Sequence, residues 1–172
     1  TPMINRYFET SFLLPEKKFI SCGYPRVKYL VDNKDNEALK SEIKEKYNIC
    51  SDKEIVVYLP TWRDYNYGKT EDVDNGYLLD TVLLQEKLGD EYLVIDKNHT
   101  YLNTAPTANQ DMETQVLLLI ADYLVTDYSS VMFDAFAIDV PVAIYSNDFE
   151  KYQASRGVYL DMWEDLKPFV SE

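Results

Sequence analysis

From residue 54 onward the chain keeps changing its hydrophobic period. Short apolar runs rich in β-branched and aromatic residues, "EIVVYLP" (54–60), "EYLVIDK" (91–97), "DYLVTD" (122–127) and "PVAIYS" (141–146), alternate with other stretches. In those stretches, "YLLDTVLLQEKLG" (77–89), "METQVLLLIA" (112–121) and "SSVMFDAFAI" (129–138), apolar groups fall at helical spacing. Continuous apolar strands are the mark of a sheet buried on both faces, and helical crossovers between strands make that sheet parallel. The alternation therefore predicts an α/β fold, a Rossmann-like parallel sheet.

Upstream, residues 3–13 place Ile4, Tyr7, Phe8 and Phe12 at helical spacing, and "KKFISCG" (17–23) reads as a short strand. "DNEALKSEIKEKYN" (35–48) reads as a charged helix with an apolar face of Leu39, Ile43 and Tyr47 and with Asp35 or Asn36 as its cap. Gly89 is placed to end the helix that precedes the second run. Residues 61–76 and 98–110 read as polar loops, and the tail from 152 reads as loop with one short helix around 161–166.

Charge removes some function classes. Seventeen Lys and Arg against 30 Asp and Glu give a net charge of −13. A nucleic-acid surface needs clustered cations to displace counterions, so nucleic acid is not an expected partner. One local pocket can still hold a small anion against that mean field. Cys22 and Cys50 stand alone, without CxxC or histidine spacing, so no metal site is expected and two isolated thiols suit a reducing compartment. No apolar stretch approaches the 18 residues of a membrane span, and the segment is expected to be soluble.

In an open parallel sheet, ligands bind beyond the carboxyl ends of the strands. The first strand delivers Thr61, Trp62, Arg63 and Asp64 there; the second delivers Lys97, Asn98 and His99. The third delivers Thr126, Asp127, Ser129 and Ser130, and the fourth Tyr145 through Asp148. A helix start has unpaired N–H groups and a partial positive charge, so a Ser pair there either caps the helix or helps hold an anion. Asp127 stands too close to welcome bare phosphate and is expected to fix the loop or the serines. Arg63 either clamps a diphosphate with its planar fork or pairs with Asp64 or Asp72 on its own loop. His99, the one histidine, can donate to a phosphate or protonate a leaving group. There is no dinucleotide fingerprint, P-loop or GxSxG elbow. A non-catalytic regulatory α/β domain is a remote alternative: "VIDKN" (94–98) imitates part of a receiver site, but Trp62, Arg63 and the serine pair have no task in one.

"GYPR" (23–26), "YLPTWRD" (58–64), His99, "ADYLVTDYSSVMFDAF" (121–136) and "YQASRGVYLD" (152–161), in that order, make the chain resemble the CDP-glycerol glycerophosphotransferases of teichoic-acid and capsule synthesis. The resemblance spans nearly the whole chain. It implies a GT-B type transferase, of which this chain is similar to the C-terminal, donor-binding half. Residues 1–22 then form a lead-in helix and strand from a preceding domain, and residues 23–172 form the nucleotide-binding domain.

The activity implied is transfer of glycerol phosphate from CDP-glycerol to a hydroxyl of a polyol-phosphate or glycan polymer. CMP is released, with no cofactor or obligatory metal. His99 and Arg63 match catalytic positions at the donor phosphates, with Ser129, Ser130, Asp127, Lys97 and Arg156 around them. The family carries an Arg two residues before its histidine and a Pro after it, where this chain has Lys97 and Thr100. A histidine in the preceding domain is the implied base, so the fragment alone is expected to be inactive. The intact protein is expected at the cytoplasmic face of the membrane. A GT-B transferase using CDP-ribitol or a nucleotide sugar is the alternative. Replacing Arg63 or His99 by Ala in the full-length enzyme is expected to cut turnover drastically while the fold survives.

Overall fold

The computed structural model describes residues 2–15, 18, 22–49, 52–66, 75–76, 78–97, 111–158 and 164. Four parallel strands, β1 (Glu54–Leu59), β2 (Tyr92–Asp96), β3 (Tyr123–Thr126) and β4 (Val142–Ile144), lie in the order β2-β1-β3-β4. Strand β1 is central, and Ile55 through Leu59 are all buried, which is why it reads as an unbroken apolar run. Its register sets Val57 against Ile95 on one side and Leu124 on the other. The chain leaves β1 toward β2, then returns to place β3 on the opposite side of β1. The reversal opens a crevice outside the carboxyl ends of β1 and β3.

Seven helices are described: α1 (Pro2–Phe12), α2 (Pro25–Asn33), α3 (Glu37–Lys46), α4 (Thr81–Leu88), α5 (Thr114–Leu119), α6 (Val131–Phe136) and α7 (Phe149–Arg156). Helix α3 starts where its cap predicts, the Asn36 side chain accepting the Leu39 N–H, and Asp80 does the same for Leu83 in α4. Gly89 ends α4 at a φ of 82°, a left-handed conformation that L side chains rarely adopt. One apolar cluster joins Ile55, Val57 and Leu124 of the sheet to Leu117 and Leu118 of α5 and Leu30 of α2. A smaller one gathers Tyr128, Phe136, Ile144 and Phe149 around Met132 of α6.

Two helices differ from the sequence reading. Pro25–Asn33, for which the sequence analysis gives no element, forms α2, packed on α5 through the fully buried Leu30; Pro25 in its first turn is the start signal. Phe149–Arg156 falls largely on the tail read as loop, and it forms α7. It buries a single residue, Tyr152, so it has no apolar stripe for periodicity to detect. The strand expected at 17–23 lies mostly outside the described residues, and the described Lys18, Cys22 and Gly23 are not in a strand. The short helix expected at 161–166 lies outside them except for Glu164.

The arginine of "GYPR" has a structural partner. Arg26 Nε donates to Asp134 Oδ2 at 2.7 Å, and Asp134 is a buried carboxylate on α6. This bond ties α2 to the helix that follows the serine pair, linking two of the motifs noted above. Among the described residues no helix is long and apolar enough to cross a membrane.

Candidate functional site

The first strand ends at Leu59, just before Pro60, and the next residues turn across the crevice toward β3. The Asp127 carboxylate receives them: it accepts the Thr61 N–H at 2.9 and 3.0 Å and the Tyr128 N–H at 2.7 Å. One buried acid thus fixes the loops after β1 and β3 to each other, the loop-fixing task expected of it. Thr126 adds a rung below, its hydroxyl donating to the Leu59 carbonyl at 2.6 Å.

Arg63 lies beneath this crossing with its side chain only 1% exposed. Its Nη1 is 2.9 Å from Asp127 Oδ2 and donates to the Thr61 carbonyl at 2.6 Å. Its Nε and Nη2 form the bidentate fork expected of an arginine, but onto Asp148, at 2.7 and 2.9 Å. Tyr128 and Tyr152 stack with centroids 4.1 Å apart, and the guanidinium carbon lies 4.9 Å from each ring. The sequence offered Arg63 a diphosphate or a local acid, Asp64 or Asp72. The geometry instead gives its fork to a carboxylate 85 residues away. Burial opposes the charge, yet the two acids raise the Arg63 pKa well above its ordinary value.

Asp148 also accepts the hydroxyls of Tyr65 at 2.7 Å and Tyr128 at 3.0 Å. Burial pushes its carboxyl up, but the hydrogen bonds from Arg63 and Tyr65 and the charge of Arg63 prevail and hold it below the usual carboxylate range. Burial, then the bond to Asp148, pushes the Tyr128 phenol up, so the hydroxyl keeps its proton and donates its hydrogen bond to Asp148. A group with a lowered folded pKa stabilises above its unfolded value, about 3.9 for Asp, and that contribution disappears as pH falls through the folded value. Thermal unfolding followed by circular dichroism should therefore show a falling midpoint below about pH 4. Asp148→Asn should flatten that acid limb; an unchanged limb would remove Asp148 from it.

The serine pair sits one residue beyond Tyr128. Ser129 Oγ accepts the Val131 N–H at 3.3 Å, a long bond, while Ser130 stands at the N-cap position without a side-chain capping bond. Ser130 is exposed, so its hydroxyl can meet a ligand. Arg156, at the end of α7, pairs with Asp64 at 2.9 Å on the far side of the Arg63 loop, both groups half-exposed. Lys97 is drawn away from this cluster, its ammonium donating to the Met112 carbonyl, and burial lowers its pKa against the pull of Glu113 and Asp111. His99 and the loop around it lie outside the described residues. Among the described residues no three His, Cys, Asp or Glu side chains converge as metal ligands.

The structure thus joins Arg63, Asp127 and the serine turn, and attaches Arg156 at the rim. It adds Asp148, Tyr65, Tyr128 and Tyr152. In the sequence Asp148 is legible only as a residue at the end of the fourth strand, and the three tyrosines carry no spacing signal.

A parallel sheet whose switch point is crossed by polar loops and headed by a serine turn defines an α/β Rossmann-like unit of the GT-B transferase type. The sequence profile of the CDP-glycerol:poly(glycerophosphate) glycerophosphotransferases matches residues 1–168, and the chain belongs to that family. It is 33% identical over 185 residues to a teichoic acid poly(glycerol phosphate) polymerase of Staphylococcus epidermidis, covering 94% of this chain and 24% of that protein. To the polymerase of the same name from Bacillus spizizenii it is 36% identical over 158 residues, covering 85% of this chain and 40% of the relative. A solved variant of the wall teichoic acid polymerase TagF soaked with CDPG superposes with a TM-score of 0.76 at 32% identity, over 94% of this chain and 42% of that one. The chain therefore spans less than half the length of these relatives.

Proposed function

We propose that this chain is the donor-binding part of a transferase that moves glycerol phosphate from CDP-glycerol to a hydroxyl of a growing teichoic-acid or capsule-type polymer. The observation that carries the reading is the serine turn at the β1–β3 switch point, with the Ser130 hydroxyl exposed and uncommitted to a cap. Family membership supports the donor class.

In this reading the acceptor oxygen attacks the phosphorus that bears glycerol. The bond from that phosphorus to the bridging oxygen breaks, and CMP leaves with that oxygen and the electron pair. The acceptor proton goes to a base outside the described residues. Ser129 and Ser130 donate hydroxyl hydrogen bonds to the diphosphate, with His99 and Arg156 beside it, while Lys97, expected there from the sequence, is engaged by the Met112 carbonyl instead. Arg63 contributes through Asp127 and Asp148, by holding the two loops that carry these groups. One arginine between two aspartates leaves that cluster with an excess negative charge, so donor neutralisation falls to the outer cations and the helix start.

Residues 1–22 belong to the same proposal as a lead-in to another part of the whole protein; Tyr7, Phe8 and Phe12 of α1 are exposed. So does a peripheral place at the membrane surface beside the acceptor polymer. The test is CMP release by the full-length protein offered CDP-glycerol, CDP-ribitol and UDP-sugars in turn. Release confined to CDP-glycerol supports the reading, and release confined to either of the others replaces it.

A further inference from the structure

We propose that Asp148 is a positioning residue that sets the serine turn and the Arg63 loop in their working geometry before the donor arrives. Its part in catalysis rests on the function proposed above; its part in positioning does not.

One carboxylate here accepts four hydrogen bonds from three side chains on two separate loops: two from Arg63, one from Tyr65 and one from Tyr128. Arg63 and Tyr65 belong to the segment after β1, Tyr128 to the turn after β3, and Asp148 itself precedes α7. The carboxylate thus joins three strand ends at the one place in the sheet where the order reverses. Asp148 occupies the N-cap position of α7, where an aspartate ordinarily bonds the helix N–H groups, yet it makes no capping bond. Its oxygens are turned instead to the crevice cluster.

The connection to the serines is short. Tyr128 is held at three places: its N–H by Asp127, its hydroxyl by Asp148, and its ring between Phe149, 5.9 Å away, and Tyr152. Ser129 and Ser130 follow it directly, so an error in the placement of Tyr128 becomes an error in the serine hydroxyls. A displacement of an ångström at such groups is enough to cost a large factor in rate.

Two variants of the full-length protein test this. Asp148→Asn keeps shape but weakens the fork to Arg63, while Tyr128→Phe keeps the ring and deletes one hydroxyl bond to Asp148. Amide hydrogen exchange reads positioning directly. Protection at residues 61–66 and 128–131 should fall at least tenfold in Asp148→Asn, with β2 unchanged, and fall less in Tyr128→Phe. The KM for the donor should rise about tenfold in Asp148→Asn and severalfold in Tyr128→Phe, with the acceptor KM unchanged. Unchanged exchange in both loops overturns the positioning role whatever the kinetics. Increased exchange with an unaltered donor KM overturns its part in catalysis. Increased exchange in a protein whose wild type does not turn over CDP-glycerol leaves positioning supported and removes the functional reading beneath it.

Discussion

Replacing Arg63 by Ala should destabilise the domain by about 3–5 kcal/mol, a large part of the 5–15 kcal/mol typical of a whole protein. The reason lies in what remains. Asp127 and Asp148 are 3% and 12% exposed, and without the guanidinium they are two buried negative charges joined by no cation at that point. Tyr128 and Tyr152 would also lose the cation packed against their rings. In a domain of this size such a loss lowers the thermal midpoint by roughly 10 °C. Arg63→Lys should fall between wild type and Ala, because an ammonium keeps the charge but cannot hold Asp148 with a planar fork. Urea unfolding of the three proteins provides the comparison. A wild-type midpoint in Arg63→Ala would refute this stabilising role of the Arg63 pairs with Asp127 and Asp148. The expected destabilisation would differ from the sequence expectation, in which the substitution cuts turnover and spares the fold.

The second large effect is on activity. A hydrogen bond to a charged group contributes about 1.5–3 kcal/mol, so each serine hydroxyl on a phosphate oxygen is worth about tenfold or more. Replacing Ser129 and Ser130 together by Ala should lower kcat/KM for the donor at least about a hundredfold in the full-length protein. Stability should change little, because Ser130 makes no capping bond and the Ser129 bond to the Val131 N–H is long. A purely capping pair gives the opposite pattern: a loss of about 1 kcal/mol of stability with the donor kinetics intact. Steady-state kinetics and thermal unfolding on the same preparations separate the two.

Local chemistry was legible in the sequence; pairing across the chain was not. The strands announced themselves because a parallel sheet covered on both faces requires runs such as "EIVVYL". The caps at Asn36 and Gly89 were readable because capping is a bond within a few residues. The edge that carries the site followed from the same logic, since a strand's end fixes where its next residues emerge. What spacing could not supply was the partner of Arg63. The local candidates were Asp64 and Asp72; Asp64 pairs with Arg156 instead, and Arg63 takes Asp127 and Asp148. Helix α7 was missed for a related reason. Its hold on the fold is Tyr152 stacked on Tyr128, a contact that exists only once the sheet has brought the two ends together.

In the proposed function the donor diphosphate lies on the serine turn while Arg63 stays with its acids. A structure of the full-length protein with CDP-glycerol bound tests it most directly. Diphosphate oxygens should lie within hydrogen-bonding distance of the Ser129 and Ser130 hydroxyls, with the Arg63 fork still on Asp148. A diphosphate held by an Arg63 that has turned away from Asp148, or one lying clear of the serine turn, would contradict it.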